Sequence, residues 1–185
     1  MYSLSGYNIA HVELTAQLCV QHDIHAKDIS CIEAIVNWLE TQYPSPAFPI
    51  RREDKIHKPG STSYVIAFAA VKRGFPMLRE WAPQTASPED PPEALQLMKR
   101  VRLIPAHEAT LFGPRITIFT KDGKQYTTQG TGCEFIWSFD VLAQRLQPIV
   151  PGLPIPADQF ACIVETCRKL DAQARADSLV QLMLK

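Results

Sequence analysis

The chain lacks the features that mark several large protein classes. Its 19 basic and 19 acidic residues leave no net charge, which argues against the basic surface of a nucleic-acid-binding protein. No apolar run approaches the roughly 20 residues of a membrane-spanning helix, and the amino terminus shows no basic-then-apolar leader. We therefore expect a cytoplasmic protein whose partners include neither nucleic acid nor membrane.

The cysteines also argue against a secreted disulfide scaffold. There are five, an odd number, and they are scattered along the chain at positions 19, 31, 133, 162 and 167. Disulfide frameworks use even sets of cysteines in oxidising compartments. The spacing is therefore typical of free thiols in a reduced compartment.

Recognisable catalytic and cofactor motifs are missing as well. The sequence has neither a glycine-rich phosphate loop nor a nucleophile elbow. The nearest approach to a metal pair is His22-x-x-His25, and no third ligand stands at a usual spacing from it. We therefore predict neither a metal nor a cofactor.

The clearest structural signal is a β-hairpin in the segment RITIFTKDGKQYTTQGTG, residues 115–132. Ile116 and Ile118 alternate with less apolar residues, and a second alternating run covers residues 125–131. Asp122-Gly123 joins the two runs, and Asp-Gly is a preferred pair for tight hairpin turns. The hairpin is expected in the middle of a sheet that helices cover.

Other periodic segments complete an α+β pattern. We predict an antiparallel sheet from residues 28–37, 101–105, 115–120 and 125–131. Helices at 8–22 and 61–73 should cover one face of it, and further helices are predicted over 139–146, 157–170 and 175–184. The expected organisation is a two-layer α/β domain over residues 1–150 and a helical segment over 151–185.

Two proline-rich segments, residues 41–60 and 81–92, predict long loops. The first also carries a cluster of basic residues, Arg51, Arg52, Lys55 and Lys58. Long loops with little structure are often functional. We interpret residues 41–60 as a mobile flap that offers positive charge to an anionic ligand.

The order of the segments resembles the carboxy-terminal part of the MmgE/PrpD family. The resemblance runs through MYSLSGYNIAHVELTAQL, ISCIEAIVNW, STSYVIAFAAVKRG, EALQLMKRVRLIP and ITIFTKDGKQY. It spans residues 2–184 and is strongest over 61–74 and 94–126. The family includes 2-methylcitrate dehydratase, cis-aconitate decarboxylase and iminodisuccinate epimerase.

The resemblance implies a lid domain that normally closes over a large helical domain, with the active site in the cleft between them. The chain has no counterpart of that helical half. Met1 or Tyr2 stands where the lid usually has a lysine, whereas Tyr64 matches a tyrosine that the lid contributes to the active site. One residue more than usual separates Tyr64 from Gly74.

Two classes of function follow from this comparison. In the first, the chain is a small lyase, isomerase or cyclase for a carboxylated or polyketide-like molecule. Its catalytic groups would be Tyr64, His11 and Tyr7, and Lys58 or Arg115 would hold an anion. In the second, it is a non-catalytic subunit that completes or regulates a separate helical partner.

The carboxy-terminal helices predict association with another chain. Apolar residues recur at helical spacing in two stripes, residues 160–170 and 179–183. In the family such stripes are buried against the helical domain. We therefore expect a homodimer or a complex with a helical-domain subunit, because exposed apolar stripes are costly in water.

Overall fold

A computed structural model describes residues 6–39, 61–74, 91–173, 175 and 177–184, with the side chains of Tyr7 and Ser178 left out. The predicted loop 41–60 lies outside these residues, as does nearly all of the loop 81–92. The chain divides into two compact units. Their described parts are residues 6–39, 61–74 and 91–136 for the first, and residues 137–173, 175 and 177–184 for the second. Within the described residues, no helix is both long and apolar enough to cross a membrane.

The first unit contains a four-stranded sheet in the order β2-β1-β3-β4. Its strands are β1 (Ile29–Asn37), β2 (Val101–Ala106), β3 (Arg115–Thr120) and β4 (Gln125–Gln129). The fold class α+β and the positions of all four strands are confirmed. The predicted hairpin is β3 and β4, whose antiparallel register pairs Ile118 with Tyr126. It lies at one edge of the sheet and not in the middle, where it was expected, because β1 and β2 both lie on the β3 side.

The sheet is mixed, whereas a wholly antiparallel sheet was predicted. Strand β3 pairs with β1 in the antiparallel direction, but β2 runs parallel to β1, with Ile32 opposite Val101. A parallel pair requires a long crossover, and residues 38–100 provide one. The β propensity of a segment carries no information about the direction of the neighbouring strand, which is why the direction of β2 was predicted wrongly.

One face of the sheet forms the hydrophobic core. In β1, Ile32, Ala34 and Val36 are fully buried, and the residues between them are half-buried. Ile118 and Ile116 of β3 stand opposite Ile32 and Ala34 and are also fully buried. This alternation is the period of two expected for a sheet that is covered on one face.

Two helices cover that face, as predicted. They are α1 (Ile9–Gln21) and α2 (Thr62–Lys72), and both contact each other and the sheet. Ser61 caps α2 by accepting a hydrogen bond from the Tyr64 N–H at 3.2 Å. Small side chains such as Ala67 and Ala70 let α2 lie close to its neighbours. A third helix, α3 (Pro92–Met98), packs against α2.

Helices α1 and α2 run side by side in the same direction. At their starts, the Thr62 hydroxyl donates to Asn8 Oδ1 at 2.9 Å. At their ends, the Arg73 guanidinium donates to Asp23 Oδ1 at 2.8 Å and to the Ile24 carbonyl at 3.3 Å. The amino ends of both helices therefore lie together.

Backbone packs directly on backbone where β3 begins and β4 ends. A Cβ atom on Gly113 would lie 2.8 Å from the Gly130 carbonyl oxygen and 2.8 Å from the Gly132 nitrogen. On Gly130 it would lie 3.0 Å from the Leu14 side chain of α1 and closer still to Gly113. Only glycine fits at such separations, and these positions join the base of the hairpin to α1.

The second unit is helical. It contains α4 (Phe139–Leu146), α5 (Ala157–Arg168) and α6 (Asp177–Met183), and the Gln159 side chain of α5 donates to the Leu182 carbonyl of α6 at 2.6 Å. The compact units divide between residues 136 and 137, whereas the sequence placed the boundary after residue 150. Helix α4 therefore belongs with the carboxy-terminal helices.

The five cysteines are all free thiols, and their burial predicts different reactivities. Burial raises the pKa of the Cys19 thiol to about 11, because its effect is larger than the opposing effect of the positive charge of Arg73. Because the thiolate is the reactive form, we expect iodoacetamide at pH 8 to modify exposed Cys133 and Cys162 of the folded protein while sparing Cys19. Peptide mass spectrometry before and after unfolding checks this. Equal labelling of Cys19 and Cys133 in the native protein would contradict it.

Candidate functional site

The buried polar residues of the described chain are concentrated in one place. Seven polar residues are buried, and apart from Thr117 of the sheet six lie on α1 and α2 or next to them, five near the helix starts and Thr15 in the middle of α1. These six form what we call the polar cluster: Asn8, His11, Thr15, Ser61, Thr62 and Ser63. Burying polar groups is costly unless they are hydrogen-bonded, so such a concentration points to a site rather than to ordinary core packing.

Hydrogen bonds hold the cluster together. The bond from Thr62 to Asn8 joins the two helices directly, and Asn8 is only 1% exposed. The Ser61 side chain satisfies the start of α2, and the Thr15 hydroxyl donates to the His11 carbonyl at 2.7 Å. The cluster is therefore a fixed junction between two helix starts.

His11 and Tyr64, two of the predicted catalytic residues, lie close to this junction along their helices. His11 is on α1, three residues after Asn8, and is fully buried; Tyr64 is on α2, two residues after Thr62, and is 7% exposed. The Tyr64 ring also packs against Phe68, with 6.1 Å between ring centroids. The pairing of the helices thus brings an imidazole and a phenol to the same end of two adjacent helices.

The other predicted site residues are not shown to join them. Lys58 lies outside the described residues, and so does the side chain of Tyr7. Arg115 is exposed and stands opposite Ile35, on the face of the sheet that points away from α1 and α2. An anion held by Arg115 would therefore lie on the other side of the sheet from His11 and Tyr64, so the predicted grouping of Arg115 with these two residues is wrong.

Among the residues that the structure describes, no group of three or more side chains that could hold a metal ion occurs. His25 Nε2 lies 3.6 Å from Asp23 Oδ1, which also holds Arg73. The His22 ring lies against Tyr126 of β4, with 4.5 Å between centroids. Both histidines thus contact the turn and the strand near the end of α1.

The chemistry of the polar cluster follows from its members. It contains hydroxyl, amide and imidazole groups, and no Asp, Glu, Lys or Arg is among the buried polar residues described. Such groups bind by hydrogen bonding, and histidine or a nearby tyrosine can exchange a proton. Their burial excludes water, which strengthens hydrogen bonds within the cluster.

Sequence reasoning missed Asn8, Thr62 and Ser63. An Asn before a helix and a Ser-Thr-Ser run at the next helix start both resemble ordinary capping residues, and only Ser61 acts as a side-chain cap here. Asn8 makes no side-chain cap of α1 and bonds to Thr62 instead. The one feature of the sequence that could have indicated these three residues is the group of polar residues at the start of each helix.

Comparison of the chain with models of known protein families finds no match. Comparison with curated proteins also finds no match. The resemblance to the MmgE/PrpD family therefore stays a prediction drawn from the residues themselves.

The bond between Asn8 and Thr62 should couple the two helix starts energetically. We expect Asn8→Ala and Thr62→Val each to lower the free energy of unfolding by about 1–3 kcal/mol, because each leaves a buried polar partner unsatisfied. The double variant should lose less than the sum of the two losses, by at least about 0.5 kcal/mol. Urea denaturation of the four proteins measures this coupling, and strict additivity would show that the bond does not hold the helices together.

Proposed function

We propose that the protein is a lyase or isomerase that acts on a small carboxylated molecule, with its site at the paired starts of α1 and α2. The observation that carries this proposal is the hydrogen bond between Asn8 and Thr62, which brings the helices of His11 and Tyr64 together in a buried polar setting. The resemblance of the chain to the lid of the MmgE/PrpD family supports the same reaction class.

The two side chains suit removal of water from a hydroxy acid. Neutral His11 would take the proton from the carbon next to a carboxylate, and Tyr64 would give a proton to the departing hydroxyl group. A carbon–carbon double bond forms as the carbon–oxygen bond breaks, and water leaves. The proton on His11 then returns to Tyr64, so both groups recover their starting forms.

A second function, that of a subunit docking on another chain, is supported by the helical unit. No side chain of α4 or α5 is buried, and large apolar residues on α4 and α6 are exposed. They include Phe139 at 39%, Leu142 at 39%, Val180 at 47% and Met183 at 60%. Apolar surface of this kind on one small unit is typical of an interface.

Substitution of Tyr64 tests the catalytic proposal. Tyr64→Phe removes only the phenol hydroxyl, so we expect turnover of 2-methylcitrate, which carries a hydroxyl group that the proposed step removes, to fall about 100-fold or more, with the melting temperature changed by a few degrees at most. Ultraviolet absorbance of the double bond follows the reaction. Tyr126→Phe, on the half-buried face of β4, is the matched control and should keep full turnover.

Two outcomes would contradict the catalytic proposal. One is equal turnover by Tyr64→Phe and the unchanged chain. The other is the absence of turnover by the unchanged chain with 2-methylcitrate, cis-aconitate and iminodisuccinate, which would favour the subunit function.

Light scattering tests the docking function. We expect the full chain alone to have twice the monomer mass at micromolar concentrations, and Val180→Asp to shift that mass toward the monomer because it places a charge in the apolar stripe. Gln181→Asp, at an exposed position of the same helix, should leave the mass unchanged. A monomer mass that is independent of concentration would contradict self-association.

A further inference from the structure

Ser63 is the one member of the polar cluster whose side-chain hydroxyl has no hydrogen-bond partner in the described structure. It is fully buried at the second position of α2, and its Oγ meets neither a donor nor an acceptor among the described residues. An unsatisfied buried hydroxyl destabilises a protein. Ser61, two residues earlier, shows the ordinary alternative, since its hydroxyl oxygen accepts the Tyr64 N–H.

Two more donors stand beside this hydroxyl. The first amides of an α-helix have no partner inside the helix, and in α2 these are the N–H groups of Thr62 and Ser63. The Cα–Cβ bond of a helical residue tilts toward the amino end of its helix, which directs the Ser63 side chain to the same end. Helix α2 is 11 residues long, so its dipole adds positive potential there.

These donors define the kind of group that would satisfy them. Three donors at the positive end of a helix suit an anion with two oxygen atoms. No basic side chain is among the buried polar residues, so the anion would be held by hydrogen bonds rather than by an ion pair. A carboxylate fits that description, and the proposed substrate carries one.

We propose that the Ser63 hydroxyl and the amides of Thr62 and Ser63 bind a carboxylate group of the substrate. The inference rests on the proposed function, since it places the substrate at the paired helix starts. It assigns to Ser63 a binding role that the resemblance does not suggest. The carboxylate would lie at the start of α2, two residues before Tyr64 along the helix.

The test compares the full-length protein with its Ser63→Ala variant. Isothermal titration calorimetry with cis-aconitate should show affinity about tenfold weaker or more in the variant, because a hydrogen bond to a charged group is lost. The melting temperature without ligand should rise, because the variant no longer buries an unsatisfied hydroxyl. Ser30→Ala is the matched control: its hydroxyl donates to the Phe119 carbonyl at 3.1 Å on the sheet, so its cis-aconitate affinity should not change.

Three results would overturn the inference. They are equal affinity in Ser63→Ala and the unchanged protein, equal loss of affinity in Ser30→Ala, and failure of the unchanged protein to bind cis-aconitate at millimolar concentration. A higher melting temperature with unaltered affinity would mean that Ser63 is only a poorly satisfied core residue.

The inference and the proposed function can fail separately. If Ser63→Ala loses affinity while Tyr64→Phe keeps full turnover, the carboxylate site stands and the catalytic role of Tyr64 fails. If Tyr64→Phe loses turnover while Ser63→Ala binds normally, the catalytic role stands and the carboxylate site fails.

Discussion

The first unit depends on the burial of alternate residues of β1. Ile32, Ala34 and Val36 are fully buried beneath α1 and α2, and burying a side chain the size of isoleucine or valine stabilises by about 1.5–3 kcal/mol. Because β1 also pairs with both β2 and β3, the same strand fixes the sheet. A polar residue at any of these three positions would therefore disturb both layers at once.

The candidate site results from the way in which α1 and α2 cover the sheet. The two helices run in the same direction, so both amino ends, with their positive dipole ends, meet at one place. Antiparallel helices would have placed one start beside one end and divided the polar residues between them. The direction of α2 relative to α1 thus brings the helix starts that carry His11, Tyr64 and Ser63 together.

Local patterns predicted the elements better than their arrangement. Alternation and Asp-Gly located the hairpin, and apolar spacing located α1, because each signal lies within a few residues. The parallel direction of β2 depends on residues far apart in the sequence. So does the contact of Asn8 with Thr62, 54 residues away. Arg115 was misplaced for a related reason: its face is set by the register with Ile35.

The parallel pairing of β1 with β2 has a consequence for folding. The hairpin of β3 and β4 closes a turn of a few residues and can form early. Pairing of β2 with β1 instead closes the long connection of residues 38–100. Contacts between distant residues form slowly because loop closure costs entropy before any pairing is gained. The edge of β1 that β2 covers therefore stays exposed until late in folding. Misfolded chains associate through unpaired strand edges of this kind.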